Sequence, residues 1–145
     1  MGLRRVIVLD TSGLLAAIDA AQTRHQAARR ALEADPGPFL LSPFVLAELD
    51  YLLMTRVGVP AETALLHEVA EGAYQLVAFD NDDLTEAVVL IERHSDLRLG
   101  LADASVAVIA AKARTTRILT LDERHFRSVR PLWAEAFELL PADAR

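Results

Sequence analysis

Four acidic residues stand out because each lies beside strongly apolar sequence. Asp10 and Asp122 each directly follow a short apolar run, whereas Glu48 and Asp103 interrupt helical segments that are otherwise mainly apolar. Burying one unpaired carboxylate costs free energy, and burying several together costs more unless a cation neutralises them. Carboxylate oxygens are also the ligands that hard divalent cations prefer. The four residues therefore predict a divalent metal site.

Each acid taken alone also has a simpler explanation. A role as nothing more than the N-cap of the following helix would explain Asp10. Asp122 also lies between a predicted strand and a helical turn, so the same explanation applies to it. Asp103 falls in a first helical turn, where the helix dipole favours an anion. Glu48 lies two residues before Asp50, so either of the two can face solvent. The case for a site therefore depends on the four acids as a set.

The elements that must position these acids are predicted from hydrophobic periodicity. Short apolar runs predict strands at 6–9, 39–41, 75–79, 117–121 and 137–140. Helical periodicity, with N-caps and Gly or Pro at the boundaries, predicts helices at 12–19, 22–34, 43–57, 60–72, 82–94 and 102–114, and a helical turn at 123–126.

This alternation of strands and helices predicts an α/β fold. We expect a mostly parallel sheet of four to five strands with helices on both faces. In open sheets of this kind the functional crevice lies beyond the carboxyl ends of the strands, which is where Asp10 and Asp122 fall. The topology alone should therefore bring two distant acids together.

Composition limits the possible classes of protein. The chain has 145 residues, 52% of them hydrophobic, which predicts one globular domain over residues 1–145. Charged residues interrupt every apolar stretch before it reaches the roughly 20 residues that a membrane span needs. The sequence contains no cysteine, which excludes disulfides and thiolate zinc sites and makes the cytoplasm the expected location.

The net charge of −6 argues against a nucleic-acid partner, but its distribution does not. Residues 93–130 hold eight basic residues against four acids, and arginine dominates the basic set. Guanidinium groups suit bidentate contacts with phosphate. A genomic preference for arginine codons explains the same composition, so both interpretations stay open.

The ordered set of acids and its flanking residues resembles a known family, the PIN-domain endoribonucleases of the VapC toxin type. The matching stretches cover nearly the whole chain. They are residues 8–12, 41–43, 47–49, 100–104 and 119–122, the last followed by His125 and Phe126.

The resemblance implies a function and a set of site residues. It implies hydrolysis of RNA, of tRNA or ribosomal RNA type, by an enzyme that depends on Mg²⁺ or Mn²⁺. Asp10 and Asp103 correspond to direct metal ligands, and Glu48 and Asp122 to acids that complete the pocket. Neighbouring hydroxyl groups are assigned to ligand orientation; they belong to Ser12 and Thr120.

The resemblance also implies partners. It predicts a toxin that blocks translation, a cognate VapB-type antitoxin that holds the enzyme inactive, and a homodimer. The leucine-rich helices 43–57 and 60–72 offer apolar surface for both contacts. Packing within one chain is the simpler use of those leucines.

Two other sequence features are interpreted as structural. The segment 80–83 begins like a calcium loop but lacks the later ligands, so we expect a helix cap. The histidines show no paired metal spacing and are assigned to surface or packing roles, although one of them lies near a predicted site residue; they are His25, His67, His94 and His125.

Two alternatives to a ribonuclease remain. A phosphoryl-transfer domain of phosphatase or receiver type could use Asp10 as a phospho-acceptor. Dehalogenase-like enzymes would have a second Asp where this chain has Ser12, and receivers would have adjacent acids after the first strand. The other alternative is a catalytically inactive PIN-like binding module, against which the four intact acids count.

Overall fold

The computed structural model describes residues 5–129, 131 and 136–144, in which strands and helices alternate along the chain. The strands are β1 (Ile7–Leu9), β2 (Phe39–Leu41), β3 (Gln75–Leu76), β4 (Arg117–Leu119) and β5 (Glu138–Leu140). The helices are α1 (Thr11–Ile18), α2 (His25–Glu33), α3 (Pro43–Arg56), α4 (Val59–Ala70), α5 (Asn81–Arg93), α6 (Leu101–Ala113) and α7 (Glu123–Ser128). A short 3₁₀ helix at Ser95–Leu97 precedes α6.

The sheet has five strands in the order β3-β2-β1-β4-β5, and every described pairing is parallel. The central strand β1 ends level with both of its neighbours, because Leu9 pairs with Leu41 of β2 and with Leu119 of β4. The predicted α/β fold with a parallel sheet and flanking helices is confirmed. Residues that follow β1, β2 and β4 therefore meet at one edge.

The core explains why these short strands are stable. All three residues of β1 are buried, as expected for a strand that is covered on both faces. Helix α6 is buried along seven consecutive residues, from Ala104 to Ala110, so it fits between other elements and does not lie on the surface. Its first turn consequently starts at a fixed place beside the sheet edge.

The first turn of α1 approaches the end of β4 closely. A Cβ atom on Gly13 would overlap the carbonyl group of Leu119 and crowd the amide nitrogen of Thr120. Only glycine allows this approach, because any side chain would meet backbone atoms. The contact places the N-terminus of α1, with Ser12, directly beside Thr120.

Most predicted boundaries agree with the structure to within a few residues, and two differ for local reasons. The strand predicted at 75–79 is only Gln75–Leu76, both exposed, at the edge of the sheet. The helix predicted at 22–34 begins at His25, because the Asp19 carboxylate accepts hydrogen bonds from the Ala21 backbone and the Gln22 side chain and holds the preceding segment in a turn.

The cap predicted at 80–83 is confirmed. The Asp80 side chain accepts a bond of 3.0 Å from the Asp83 amide, and the Asp83 side chain accepts one of 2.9 Å from the Asp80 amide. Asp83 also contacts Lys112 at 2.9 Å, which ties the start of α5 to the end of α6. Among the described helices, none is long and apolar enough to cross a membrane.

Candidate active site

The four predicted acids all line one cleft at the carboxyl edge of the sheet. The cleft has a volume of about 430 Å³. Asp10 and Asp122 reach it from the ends of β1 and β4, Asp103 from the first turn of α6, and Glu48 from α3. The structure thus brings the four acids together, as the sequence predicted, although they differ in burial and in hydrogen bonding.

Asp10 is the most buried of the acids, with 2% of its surface exposed. Its Oδ2 atom accepts hydrogen bonds from the hydroxyl groups of Thr120, at 2.7 Å, and Ser12, at 3.1 Å. Its Oδ1 atom is buried and has no hydrogen-bond partner among the described residues. The side chain makes no capping bond to α1, so helix capping does not account for Asp10.

Burial raises the pKa of Asp10 to about 7, and the negative charge of Asp103 adds to the rise. The hydrogen bonds from Thr120 and Ser12 oppose it, and so to a lesser degree does the nearby Thr11 backbone amide, because these donors stabilise the charged form. A buried carboxylate with one satisfied and one unsatisfied oxygen is poorly solvated in the metal-free protein. A cation at Oδ1 would satisfy that oxygen and restore the charged form, so this residue fits a metal ligand.

Ser12 and Thr120 hold the Asp10 carboxylate in place and are themselves oriented by the backbone. The Leu121 amide donates to Ser12 Oγ at 2.9 Å, and the Asp122 amide donates to Thr120 Oγ1 at 2.9 Å. Both hydroxyl protons are used toward Asp10, so the 3.2 Å separation between the two hydroxyl oxygens is a packing contact. The turn after β4 thereby positions a carboxylate that follows β1.

Asp103 combines a helix-terminal role with a place in the cleft. Its Oδ2 atom accepts a long hydrogen bond, 3.3 Å, from the amide of Gly100, the N-cap residue of α6. Burial is the main cause that raises the pKa of Asp103, and the nearby charges of Asp122 and Glu48 raise it further. The Gly100 amide and His125 act in the opposite direction. Asp103 therefore caps α6 and also lines the cleft.

Asp122 forms a compact group with Asp103 and His125. His125 Nδ1 lies 2.7 Å from Asp122 Oδ2 and 3.4 Å from Asp103 Oδ2, without the alignment of a hydrogen bond. Asp122 Oδ1 accepts the backbone amide of His125 at 3.1 Å and so caps α7. One ligand atom from each of the three side chains lies within 4.8 Å of the others, close enough to share a metal ion.

The hydrogen bond made by Nε2 of His125 determines whether Nδ1 can act as a metal ligand. Nε2 lies 2.9 Å from the carbonyl oxygen of Leu97, which can only accept, so Nε2 carries a proton. In the neutral ring the lone pair of Nδ1 then faces two carboxylates. A divalent cation between them would remove that repulsion. Among the described residues this is the one group of three such side chains with ligand atoms within 4.8 Å of one another, and it does not include Asp10.

Glu48 lies on the open wall of the cleft, and its side chain is exposed. Helix α3 is nevertheless firmly placed, because its N-cap Ser42 is fully buried and its hydroxyl lies 2.7 Å from that of Ser105 on α6. Of the alternatives that the sequence left open, Glu48 is therefore the acid that faces solvent, although it also lines the cleft. A flexible exposed carboxylate at this position can still reach an ion or an ion-bound water in the cleft.

Sequence reasoning missed the involvement of His125, which it assigned to a surface or packing role. Spacing among the histidines carried no signal, because the partners of His125 are acids. The available signal was its position three residues after Asp122, since residues at i and i+3 lie on the same face of a helix.

Comparisons with known proteins agree with this geometry. The chain is 42% identical over 135 residues to Ribonuclease VapC26 of Mycobacterium tuberculosis, covering 93% of this chain and all of the relative. The crystal structure of VapC20 of the same organism, a sarcin-ricin loop cleaving toxin, superposes with a TM-score of 0.75 at 25% identity, over 80% of this chain and 89% of that one. The PIN domain model matches residues 7–131. The resemblance predicted from the acids is confirmed, and the chain belongs to the PIN domain family.

Proposed function

We propose that this protein is a divalent-metal-dependent endoribonuclease and the toxin component of a toxin-antitoxin pair, with residues 1–145 acting as one nuclease domain. The relatives named as a ribonuclease and as a toxin support the activity. The observation that carries the metal dependence is the buried Asp10 Oδ1, which has no hydrogen-bond partner in the described chain and belongs to a residue that lines a cleft with three more acids.

The proposed ligands follow from the chemistry of the side chains. Asp10 and Asp103 are the proposed direct ligands, with Glu48 and Asp122 acting directly or through water. The carboxylate oxygens of this set suit Mg²⁺ and Mn²⁺ alike. When bound, such an ion supplies a more acidic water and stabilises negative charge on a phosphodiester.

The protein residues contribute orientation and charge. Ser12 and Thr120 fix the Asp10 carboxylate through Oδ2, which leaves Oδ1 without a hydrogen-bond partner. The His125 ring is anchored on the Leu97 carbonyl and brings Nδ1 close to Asp122 and Asp103, where the three side chains could share an ion. Glu48, on the open wall, would complete the pocket by contacting the ion directly or through water. The proposed substrate is tRNA or ribosomal RNA, whose cleavage would block translation.

The test is incubation of the purified protein with total RNA in Mg²⁺, in Mn²⁺ and in EDTA. We expect discrete cleavage products with either ion and none in EDTA. Cleavage that persists in EDTA would refute the metal dependence, and a failure to cut any RNA with both ions would refute the ribonuclease proposal.

The proposed partners are an antitoxin of VapB type and a second copy of the chain. Part of the leucine-rich surface packs inward, as Leu49 and Leu53 are fully buried, but Tyr51 is 56% and Met54 45% exposed on the same helix. A neighbouring groove of about 320 Å³ runs between α3, α4 and β3. Exposed apolar surface of this kind is typical of interfaces.

Analytical sedimentation of the purified protein should give a dimer, and Met54→Asp should weaken that dimer. A monomer would refute the proposed homodimer. We further propose a cytoplasmic location.

A further inference from the structure

The cleft extends beyond the acids to a single basic side chain. Glu48 and Arg56 lie on the same helix, eight residues or about 12 Å apart along its axis, and both line the cleft. Among the described residues that line it, Arg56 is the only Lys or Arg. The apolar side chains of Leu15 and Leu52 also line this wall.

The guanidinium of Arg56 is available for a ligand. Other arginines are held by carboxylates, such as Arg117 by Asp35 at 2.6 Å and Arg127 by Asp143 at 2.7 Å. Within the described part of the chain, Arg56 has no ion pair or hydrogen bond. Its charge contributes only a small lowering of the pKa of Asp19, after the effects of the Ala21 amide, Gln22 and His25.

We propose that Arg56 binds an RNA phosphate next to the one that is cut, and so positions the strand in the cleft; the inference rests on the proposed ribonuclease function. A bound metal ion would neutralise only the phosphate that is cut. The acidic side chains of the cleft would repel the neighbouring phosphates of the RNA. A free guanidinium offers a bidentate contact to phosphate oxygens. The sugar of the intervening nucleotide would lie over Leu15 and Leu52. Arg56 is thus a substrate-positioning residue.

The test measures binding without cleavage. A fluorescein-labelled, mixed-sequence 20-nucleotide RNA is titrated in Mg²⁺ with Asp103→Asn protein, alone or combined with Arg56→Gln, Arg56→Lys or Arg30→Gln. Arg30 is the matched control, because it is exposed on α2, does not line the cleft, and among the described residues its side chain hydrogen-bonds only to Gln26, at 3.5 Å.

We expect Arg56→Gln to weaken binding about fivefold, and to reduce the slope of log affinity against log salt by about 0.7, the value for one lost phosphate contact on a single strand. Arg56→Lys should retain the slope, and Arg30→Gln should change neither quantity. Thermal unfolding of Arg56→Gln should nearly match the parent, because no described side-chain hydrogen bond or ion pair is lost.

In the otherwise unmodified enzyme, Arg56→Gln should raise KM for RNA cleavage about fivefold and leave kcat within about twofold. Equal binding by Arg56→Gln and Arg30→Gln would overturn the inference, as would a loss of kcat with unchanged KM. Such a result in an enzyme that cleaves RNA with Mn²⁺ would leave the proposed function intact. An unmodified protein that cleaves nothing would refute the proposed function instead.

Discussion

Asp10→Asn should lower the initial rate of metal-dependent RNA cleavage by at least about a hundredfold, more than is typical when only a supporting partner of a metal ligand is lost. The substitution retains the shape of the side chain, and the amide oxygen can still accept from Thr120 and Ser12. It places an N–H donor or a neutral oxygen where Oδ1 now lies buried without a partner. The measurement is the rate on total RNA at saturating Mn²⁺, and Asp103→Asn should behave in the same way.

Glu123→Gln is the matched control. Glu123 directly follows Asp122 in sequence, but its exposed side chain pairs with Arg127 at 3.1 Å on α7 and does not line the cleft. Glu123→Gln changes the net charge by the same amount as Asp10→Asn. It should leave the cleavage rate within about twofold of wild type, because exposed ion pairs contribute little to stability. An Asp10→Asn enzyme as active as Glu123→Gln would contradict the assigned role of Asp10.

The metal-free protein should lose stability as the pH rises from about 4 to about 7. Burial raises the pKa of Asp10 from 3.8 to about 7, so within this window the folded state binds more protons than the unfolded state. The free energy of unfolding therefore falls with pH, by up to about 1.4 kcal/mol per unit from this group, and levels off above pH 7. Below pH 3.8 the group is protonated in both states and its effect disappears.

Urea unfolding of wild type and Asp10→Asn in EDTA isolates the contribution of this residue. The variant should be as stable as wild type near pH 4 and progressively more stable up to pH 7. Mn²⁺ should stabilise wild type more at pH 7.5 than at pH 5, because binding at low pH must displace a proton. A constant difference between the two proteins across this range would show that Asp10 is not protonated by burial.

The sequence was sufficient to predict the fold because its two periodicities are clear. Apolar runs such as 6–9 alternate with helical segments, and parallel strands place their carboxyl ends together whatever the details of packing. Asp10 and Asp122 could be located for the same reason, since each follows a strand. The predicted length of the edge strand was too great, because the apolar run continues past Leu76, the last residue of the strand Gln75–Leu76.

Side chains on helices could not be placed from periodicity alone. Glu48 is exposed on the open wall of the cleft. Its position depends on how α3 is rotated against α6, and the buried contact between Ser42 and Ser105 fixes that rotation. The position of Arg56 in the cleft depends on the same rotation. His125 joins the site because a backbone carbonyl, that of Leu97, orients its ring, and such a contact leaves no trace in residue spacing.

The central claim is that the acid cluster binds a divalent cation, and crystals grown with Mn²⁺ test it most directly. Data collected near the manganese absorption edge should give an anomalous peak in the cleft, within coordination distance of Asp10 Oδ1 and of the Asp103 carboxylate. The peak should vanish in crystals of Asp10→Asn. A cleft without a peak at millimolar Mn²⁺, or a peak bound only elsewhere on the surface, would contradict the account.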